Sequence, residues 1–204
     1  MRGEAVYPLV TEEKHDYASI SKTKTFTPPS TDRDFVWAQL VRNLESAFIK
    51  LRRHGLRAKS VAIYLRTQDF RSLGMEAALD RPSSSVFEVV SLAEALFDQV
   101  YRPGVAYRLT GVVLSKIEGE KKDMQYTLFD DAVKIQAFRA IDHVIDGVNE
   151  LYGKHALHLG TTLWLGKYRQ HLGERGDIAQ RKLKLLRGET YRQRLNIPVW
   201  NVKV

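Results

Sequence analysis

The sequence predicts an α+β domain, in which a four-stranded sheet with β-α-β-β-α-β order carries two helices on one face. Three observations predict it. Four segments between residues 17 and 118 have strand-like patterns, and two segments with apolar residues at three- and four-residue spacing separate them in that order. Because two helices can cover only one face of such a sheet, the other face is expected to be open to water or a ligand.

The first strand is expected at 17–27, where Thr and Ile are frequent, and Pro28 and Pro29 are expected to end it. Its candidate phosphate-binding residues are hydroxyl residues interleaved with lysines: Ser19, Ser21, Thr23, Thr25, Lys22 and Lys24. Hydroxyl and ammonium groups both donate to phosphate oxygens and fix register without reading sequence. The alternative is an exposed edge strand that lysines protect from aggregation.

The first helix is expected to begin after a side-chain cap at Thr31 or Asp32 and to run to about His54. Gly55 lies where a left-handed C-cap is common. One apolar stripe should face the core. It comprises Trp37, Leu40, Val41, Leu44, Phe48 and Leu51.

The second strand, 58–68, alternates cleanly, and a third strand is expected at 71–79. The apolar face of the second strand is Val61, Ile63 and Leu65, and the other is Ala62, Tyr64, Arg66 and Gln68. Arg66 can hold a phosphate with two donors, and Tyr64 can pack on a sugar. The alternative is an ordinary solvated sheet face.

The second helix is expected at 85–100, after Pro82 and three serines. Pro103 and Gly104 end that pattern, and a fourth strand follows at 106–117. Arg108 at the start of this strand is a weaker phosphate-binding candidate.

The predicted domain boundaries follow from these elements. They are a linker or the end of a preceding domain at 1–16, the α+β domain at 17–118, a charged loop at 119–131, a helix and strand at 132–158, and a basic tail at 159–204. The helix should span 132–152. Its apolar residues in register are Phe138, Ile141, Ile145, Val148 and Tyr152.

Composition limits the class of protein. The 204 residues include no cysteine, which excludes a disulfide framework and a thiol nucleophile. A net charge of +8 favours a polyanionic partner such as nucleic acid. No apolar run approaches the ~20 residues that span a bilayer, and the first residues lack the apolar region of a signal peptide. We therefore expect a cytoplasmic protein with no membrane partner.

Four segments together resemble the C-terminal part of a Y-family translesion DNA polymerase. They are SISKTKTF (19–26), GLRAKSVAIYLRTQDF (55–70), YRLTGVVLS (107–115) and QYTLFD (125–130). The segment AIDHVIDGVNELYG and the basic tail after it are more similar to the UmuC type than to the DinB type. The resemblance implies a little-finger domain that lays its sheet along primer-template DNA.

The resemblance also implies a parent enzyme, an error-prone DNA-directed DNA polymerase acting in translesion synthesis, DNA repair and the SOS response. Its catalytic carboxylates and magnesium belong to an N-terminal palm that has no counterpart here. This segment is therefore expected to have no catalytic residue and no cofactor and to be inactive alone. A UmuD-like subunit and a recombinase filament are further implied partners of the tail. The alternative is a free-standing nucleic-acid-binding module.

A sliding-clamp motif is expected in the charged loop, because the pattern Gln, two variable positions, Leu, Phe resembles the bacterial clamp-binding pentapeptide. Gln125 would hydrogen-bond at the pocket rim, and Leu128 and Phe129 would fill an apolar groove. The alternative is that these two residues staple the loop to the core or cap the next helix.

Metal-binding patterns in the chain are weak. Asp32 and Asp34 have the D-x-D spacing of metal-dependent polymerases, but they lie at a helix start, where aspartate caps the helix. His155 and His158 lack the further ligands of a zinc site and are interpreted as surface or strand histidines. We expect no metal site in this segment.

Overall fold

The computed structural model describes residues 17–119, 131–152 and 155–166 and confirms the predicted α+β fold. The elements in chain order are β1 (Ser19–Ser30), α1 (Arg33–Arg53), β2 (Leu56–Thr67), β3 (Ser72–Ser83), α2 (Val86–Val100), β4 (Tyr107–Gly119), α3 (Ala132–Tyr152) and a 3-10 helix (Gly160–Gly166). In these ranges, no helix is long and apolar enough to cross a membrane.

The sheet has the strand order β1-β4-β2-β3, with all neighbouring strands antiparallel. Helices α1 and α2 pack on one face and close the hydrophobic core. The inward face of β2 is the predicted one, because Val61, Ile63 and Leu65 are fully buried. Large side chains from both helices and β4 complete this core, among them Phe48, Phe97 and Tyr107.

Helix α1 begins and ends as its sequence predicts. The Asp32 carboxylate accepts hydrogen bonds from the N–H groups of Asp34 (2.9 Å) and Phe35 (3.3 Å), so this aspartate is a helix cap. After the helix, Gly55 has φ +60°, and its N–H donates to the Arg52 carbonyl. A residue with a Cβ is disfavoured in that left-handed conformation, which explains the glycine.

Two strand ends differ from the prediction. β1 continues through Pro28 and Pro29 to Ser30, with an irregular register between Thr25 and Ser30. β3 similarly continues through Pro82 to Ser83. Both are edge strands, where a residue without an N–H need not break a ladder. Proline therefore did not mark the strand ends here.

The predicted apolar stripe of α3 is not its buried face. The buried residues are Ile135, Asp142 and Asn149, whereas Ile141 is 44% and Tyr152 is 78% exposed. Helix α3 is held largely by polar contacts. The Arg52 side chain from α1 reaches Asp142 at 3.1 Å and Asp146 at 2.6 Å, and the Asn149 amide donates to the Leu157 carbonyl. Phe138 does contact a neighbouring helix, because its ring stacks on Phe87 at 5.4 Å.

Residues 155–166 pack against α1, although the basic tail was expected to begin at 159 and a strand to precede it. Residues 155–159 form turns and bends, and the 3-10 helix follows with Thr162 and Leu165 buried. This packing explains why α1 buries polar residues as well as its apolar stripe. Beyond residue 166 the basic tail lies outside the described part of the chain.

The two histidines in this segment are half-buried, not on the surface or in a strand. The Nε2 atom of His155 lies 3.0 Å from the Ser46 hydroxyl, and its Nδ1 atom lies 3.6 Å from the Glu45 carboxylate. The Nδ1 atom of His158 lies 2.8 Å from the Thr162 hydroxyl. Both rings therefore serve to attach the segment to α1 and to order its turn.

Candidate nucleic-acid interface

The face of the sheet opposite α1 and α2 is built from four rows of residues paired across all four strands. We call these sixteen residues the open face. The rows are Ser19–Ser115–Ser60–Ala78, Ser21–Val113–Ala62–Glu76, Thr23–Gly111–Tyr64–Gly74 and Thr25–Leu109–Arg66–Ser72. Eight of these sixteen residues carry a hydroxyl group, so the open face is rich in neutral hydrogen-bond donors.

Tyr64 lies across the centre of the open face. Its hydroxyl is 3.0 Å from the Thr23 hydroxyl, so the side chain spans β4 to reach β1. This is possible because Gly111 lies beneath the ring: a Cβ there would be 2.2 Å from the Tyr64 Cζ atom. Gly74 allows an equally close approach on the other side, since a Cβ would lie 2.7 Å from the Ile63 carbonyl oxygen. The two glycines therefore leave room for Tyr64 in this row.

Arg66 places a guanidinium at the end of the open face nearest the β2–β3 turn. The Arg66 side chain is half-buried, and its Nε–H donates to the Ser72 hydroxyl at 2.9 Å, which leaves other guanidinium N–H groups for a ligand. Thr25 lies in the same row, two strands away.

Glu76 is a carboxylate on the open face that sequence reasoning did not include. It accepts hydrogen bonds from Ser60 (2.5 Å) and Ser115 (3.3 Å). These bonds, that from Ser60 first, lower the pKa of the Glu76 carboxyl. Among the sixteen open-face residues only Arg66 and Glu76 are charged, so the hydrogen-bond donors of this face are mostly hydroxyl groups, with one guanidinium.

Lys22 and Lys24 are not brought together with the hydroxyl residues of β1. Successive side chains of a strand alternate between faces, so both lysines lie on the helix side, in rows with Val112 and Thr110. Burial lowers the pKa of Lys24, and the charge of Arg42 lowers it further. The hydroxyl residues and the lysines of β1, predicted to bind phosphate together, therefore lie on opposite faces of the sheet.

The remaining residues that the sequence predicted to bind DNA or the clamp are not among the sixteen open-face residues. Gln68 is exposed in the β2–β3 turn. The Arg108 guanidinium lies 4.3 Å from the ring centroid of Phe70, at the same end of the sheet. The clamp-motif residues Gln125, Leu128 and Phe129 lie outside the described residues, so that hypothesis stays a prediction.

The open face offers hydrogen-bond donors to an anionic ligand, from the hydroxyl groups that do not bond to Glu76 and from the Arg66 guanidinium. Across the described ranges, no group of three or more His, Asp or Glu side chains is placed to hold a metal ion.

Several open-face residues were missed from the sequence. A glycine inside a strand pattern, as in YRLTGVVLS, does signal a close approach by another group, and Gly111 fits that signal. No local signal identified Glu76 or Ser115, because their proximity depends on which strands are neighbours.

Comparison with known protein families identifies the family to which this chain belongs. Residues 17–128 match the model described as the impB/mucB/samB family C-terminal domain, which is more than half of the chain. The chain belongs to this family. Its predicted kinship with the C-terminal, little-finger region of Y-family polymerases is confirmed.

Curated relatives of this impB/mucB/samB domain carry the name DNA polymerase IV. One from Acetivibrio thermocellus is 27% identical over 58% of this chain and 30% of its own length. One from Dehalococcoides mccartyi is 28% identical over 71% and 36%, and DNA polymerase IV 1 of Bacillus subtilis is 22% identical over 76% and 37%. The chain thus spans about a third of the length of these relatives.

Solved structures give low overall similarity. An insertion ternary complex of Dbh DNA polymerase has a TM-score of 0.44 at 16% identity, covering 50% of this chain and 29% of that one. A complex of the β-clamp processivity factor with the little-finger domain of PolIV has a TM-score of 0.39 at 17% identity, covering 55% of this chain and 99% of that one.

Proposed function

We propose that the open face binds the sugar–phosphate backbone of primer-template DNA. One observation carries this proposal: a sheet face left uncovered by α1 and α2 that presents Arg66 and six hydroxyl residues besides the two that bond to Glu76, in a chain of the impB/mucB/samB family. Hydroxyl and guanidinium groups donate to phosphate and sugar oxygens, which fixes the protein on the duplex without reading bases. Sequence-independent contact suits an enzyme that must accept damaged templates.

The parent protein on this proposal is a DNA-directed DNA polymerase acting in translesion synthesis and DNA repair. The name DNA polymerase IV on relatives of 22–28% identity supports it. In this division of labour the present segment holds DNA, and the catalytic carboxylates belong to another part of the parent. A primer-extension assay with the 204-residue chain should then give no product, and metal-dependent extension would contradict that division.

Gln125, Leu128 and Phe129 are proposed to tether the parent to the bacterial sliding clamp. The motif begins within the family match, which ends at residue 128, and it follows β4, which ends at Gly119. A tether raises the effective concentration of the polymerase at the primer end without contributing a catalytic group.

Fluorescence anisotropy with labelled primer-template DNA at several salt concentrations tests the DNA proposal. Arg66→Ala should weaken binding roughly tenfold, since a charge-assisted hydrogen bond is lost, and should reduce the salt slope by about one. Lys22→Ala is the matched control, because it removes a cation from β1 of the same sheet, but on the helix side. Equal losses in the two variants, or none in Arg66→Ala, would contradict an open-face interface.

Binding of the full chain to purified bacterial sliding clamp tests the tether separately. Replacing both apolar positions, Leu128→Ala with Phe129→Ala, should abolish most of the affinity. Thr127→Ala lies at a variable position of the motif and should leave binding unchanged. Equal affinity for all three proteins would refute the motif.

A further inference from the structure

The turn between β2 and β3, residues 68–71, has a fixed backbone conformation. The Thr67 N–H donates to the Arg71 carbonyl at 2.9 Å, and the Phe70 N–H donates to the Thr67 carbonyl at 3.1 Å. The Gln68 N–H donates to the carbonyl of Ala106, which ties the turn to the residue before β4. The Asp69 carboxylate bridges the Thr67 hydroxyl and the Arg71 guanidinium. Backbone hydrogen bonds within the turn, one hydrogen bond to Ala106 and the contacts of Asp69 therefore hold the turn in place.

This bracing holds Phe70 in an unfavourable state. Its φ is +67°, a left-handed conformation that side chains larger than glycine rarely adopt, and its side chain is 66% exposed to water. An exposed aromatic ring in a disfavoured backbone conformation serves no purpose in the core. Such outliers concentrate at sites where a ligand is held.

Arg108 supplies the second component of this surface. It reaches the ring from β4, with its guanidinium 4.3 Å from the Phe70 centroid, a cation–π distance. Arg108 precedes Leu109, which is in the same row as Arg66, and the register between β2 and β4 is irregular at this point. Phe70 and Arg108 therefore lie at the end of the sheet where the Arg66 row lies, outside the sixteen open-face residues. An apolar ring next to a guanidinium group suits a ligand that is flat and attached to phosphate.

We propose that Phe70 and Arg108 form a stacking site for an unpaired base of single-stranded DNA next to the duplex held by the open face. This inference rests on the proposed function. A base presents its flat surface only when it is unpaired and unstacked, and stacking on an aromatic ring accepts every base. Arg108 would then contact the phosphate that flanks the stacked base.

The test compares primer-template DNA carrying a 5′ template overhang with the same duplex made blunt, using anisotropy and a 2-aminopurine placed in the overhang. The wild-type chain should bind the overhang substrate more tightly and quench the 2-aminopurine. Phe70→Leu should lose about five- to tenfold in affinity for the overhang substrate, with unchanged affinity for blunt duplex, and should abolish quenching. Phe70→Trp should retain both.

A matched control is Leu151→Ala, since Leu151 is an apolar side chain, 80% exposed, on α3. It should behave as wild type. Unaltered overhang affinity and quenching in Phe70→Leu would overturn the stacking site and leave the open-face proposal in place. Failure of the wild-type chain to bind either DNA would overturn the proposed function itself.

Discussion

The charged side chains that attach α3 to α1, Asp142 and Asp146 with Arg52, lead to a specific prediction about how stability depends on pH. Asp142 is buried, and burial, together with the smaller effects of the Asp146 and Glu88 charges, raises the pKa of its carboxyl from 3.8 to about 6. Arg52 and Ser85 lower that pKa but do not restore its ordinary value. Because the folded state holds this proton more tightly than the unfolded state, the stabilising contribution is complete below pH 3.8. It is lost as pH rises through about 6.

The magnitude follows from the two pKa values. Between pH 4.5 and pH 7.5 the free energy of unfolding should fall by about 2 kcal/mol through Asp142 alone. Asp142→Asn cannot ionise, so its stability relative to wild type should improve by that amount over the same range. Urea unfolding of both proteins at four pH values measures this difference directly.

Glu150→Gln is the control, because it removes a carboxylate from the exposed side of the same helix. Its stability relative to wild type should not change with pH in that way. Parallel pH profiles for wild type and Asp142→Asn would refute the reasoning, since they would mean that Asp142 titrates as an ordinary surface carboxyl.

Three further changes test the fold. Asp32→Ala removes the α1 cap and should cost about 1 kcal/mol in urea unfolding; an unchanged midpoint would show that the cap is dispensable. Asn43→Ala removes the amide that donates at 2.9 Å to both oxygens of Thr110 and should cost about 2–3 kcal/mol; a loss below about 0.5 kcal/mol would contradict a buried bond network. Gly74→Ala places a Cβ 2.7 Å from the Ile63 carbonyl oxygen and should lower the melting temperature measured by calorimetry by several degrees, a loss of about 1–3 kcal/mol; wild-type melting would refute that close approach.

Much of the fold could be predicted because periodicity is a local property. The alternation of Val61, Ile63 and Leu65 identified the inner face of β2, and the cap at Asp32 marked the start of α1. The ends of β1 and β3 could not be predicted in this way. Whether a strand tolerates proline depends on its place in the sheet, and the edge positions follow only from the strand order.

Which face of α3 is buried could not be predicted from the sequence either, because it also depends on the neighbouring elements. Its most apolar stripe remains partly exposed, whereas Asp142 is buried because Arg52 lies opposite it on α1. In the candidate site, Tyr64 and Arg66 were identified by alternation, but that same alternation separates Lys22 from the hydroxyl residues of β1. Hydroxyl and ammonium groups both suit phosphate binding, which suggested that they share one surface. The alternation of side chains along the strand instead places them on opposite faces.

Cysteine protection at adjacent positions tests the central claim most directly. The natural chain has no cysteine, so Ser21→Cys and Lys22→Cys each introduce a unique thiol, the first on the open face and the second on the helix side. Alkylation rates are measured with and without saturating primer-template DNA. The open-face proposal predicts that DNA slows alkylation of the Ser21→Cys protein at least about fivefold and leaves the Lys22→Cys protein nearly unchanged. Protection of the Lys22→Cys thiol alone would contradict it and place the DNA on the helix side of the sheet.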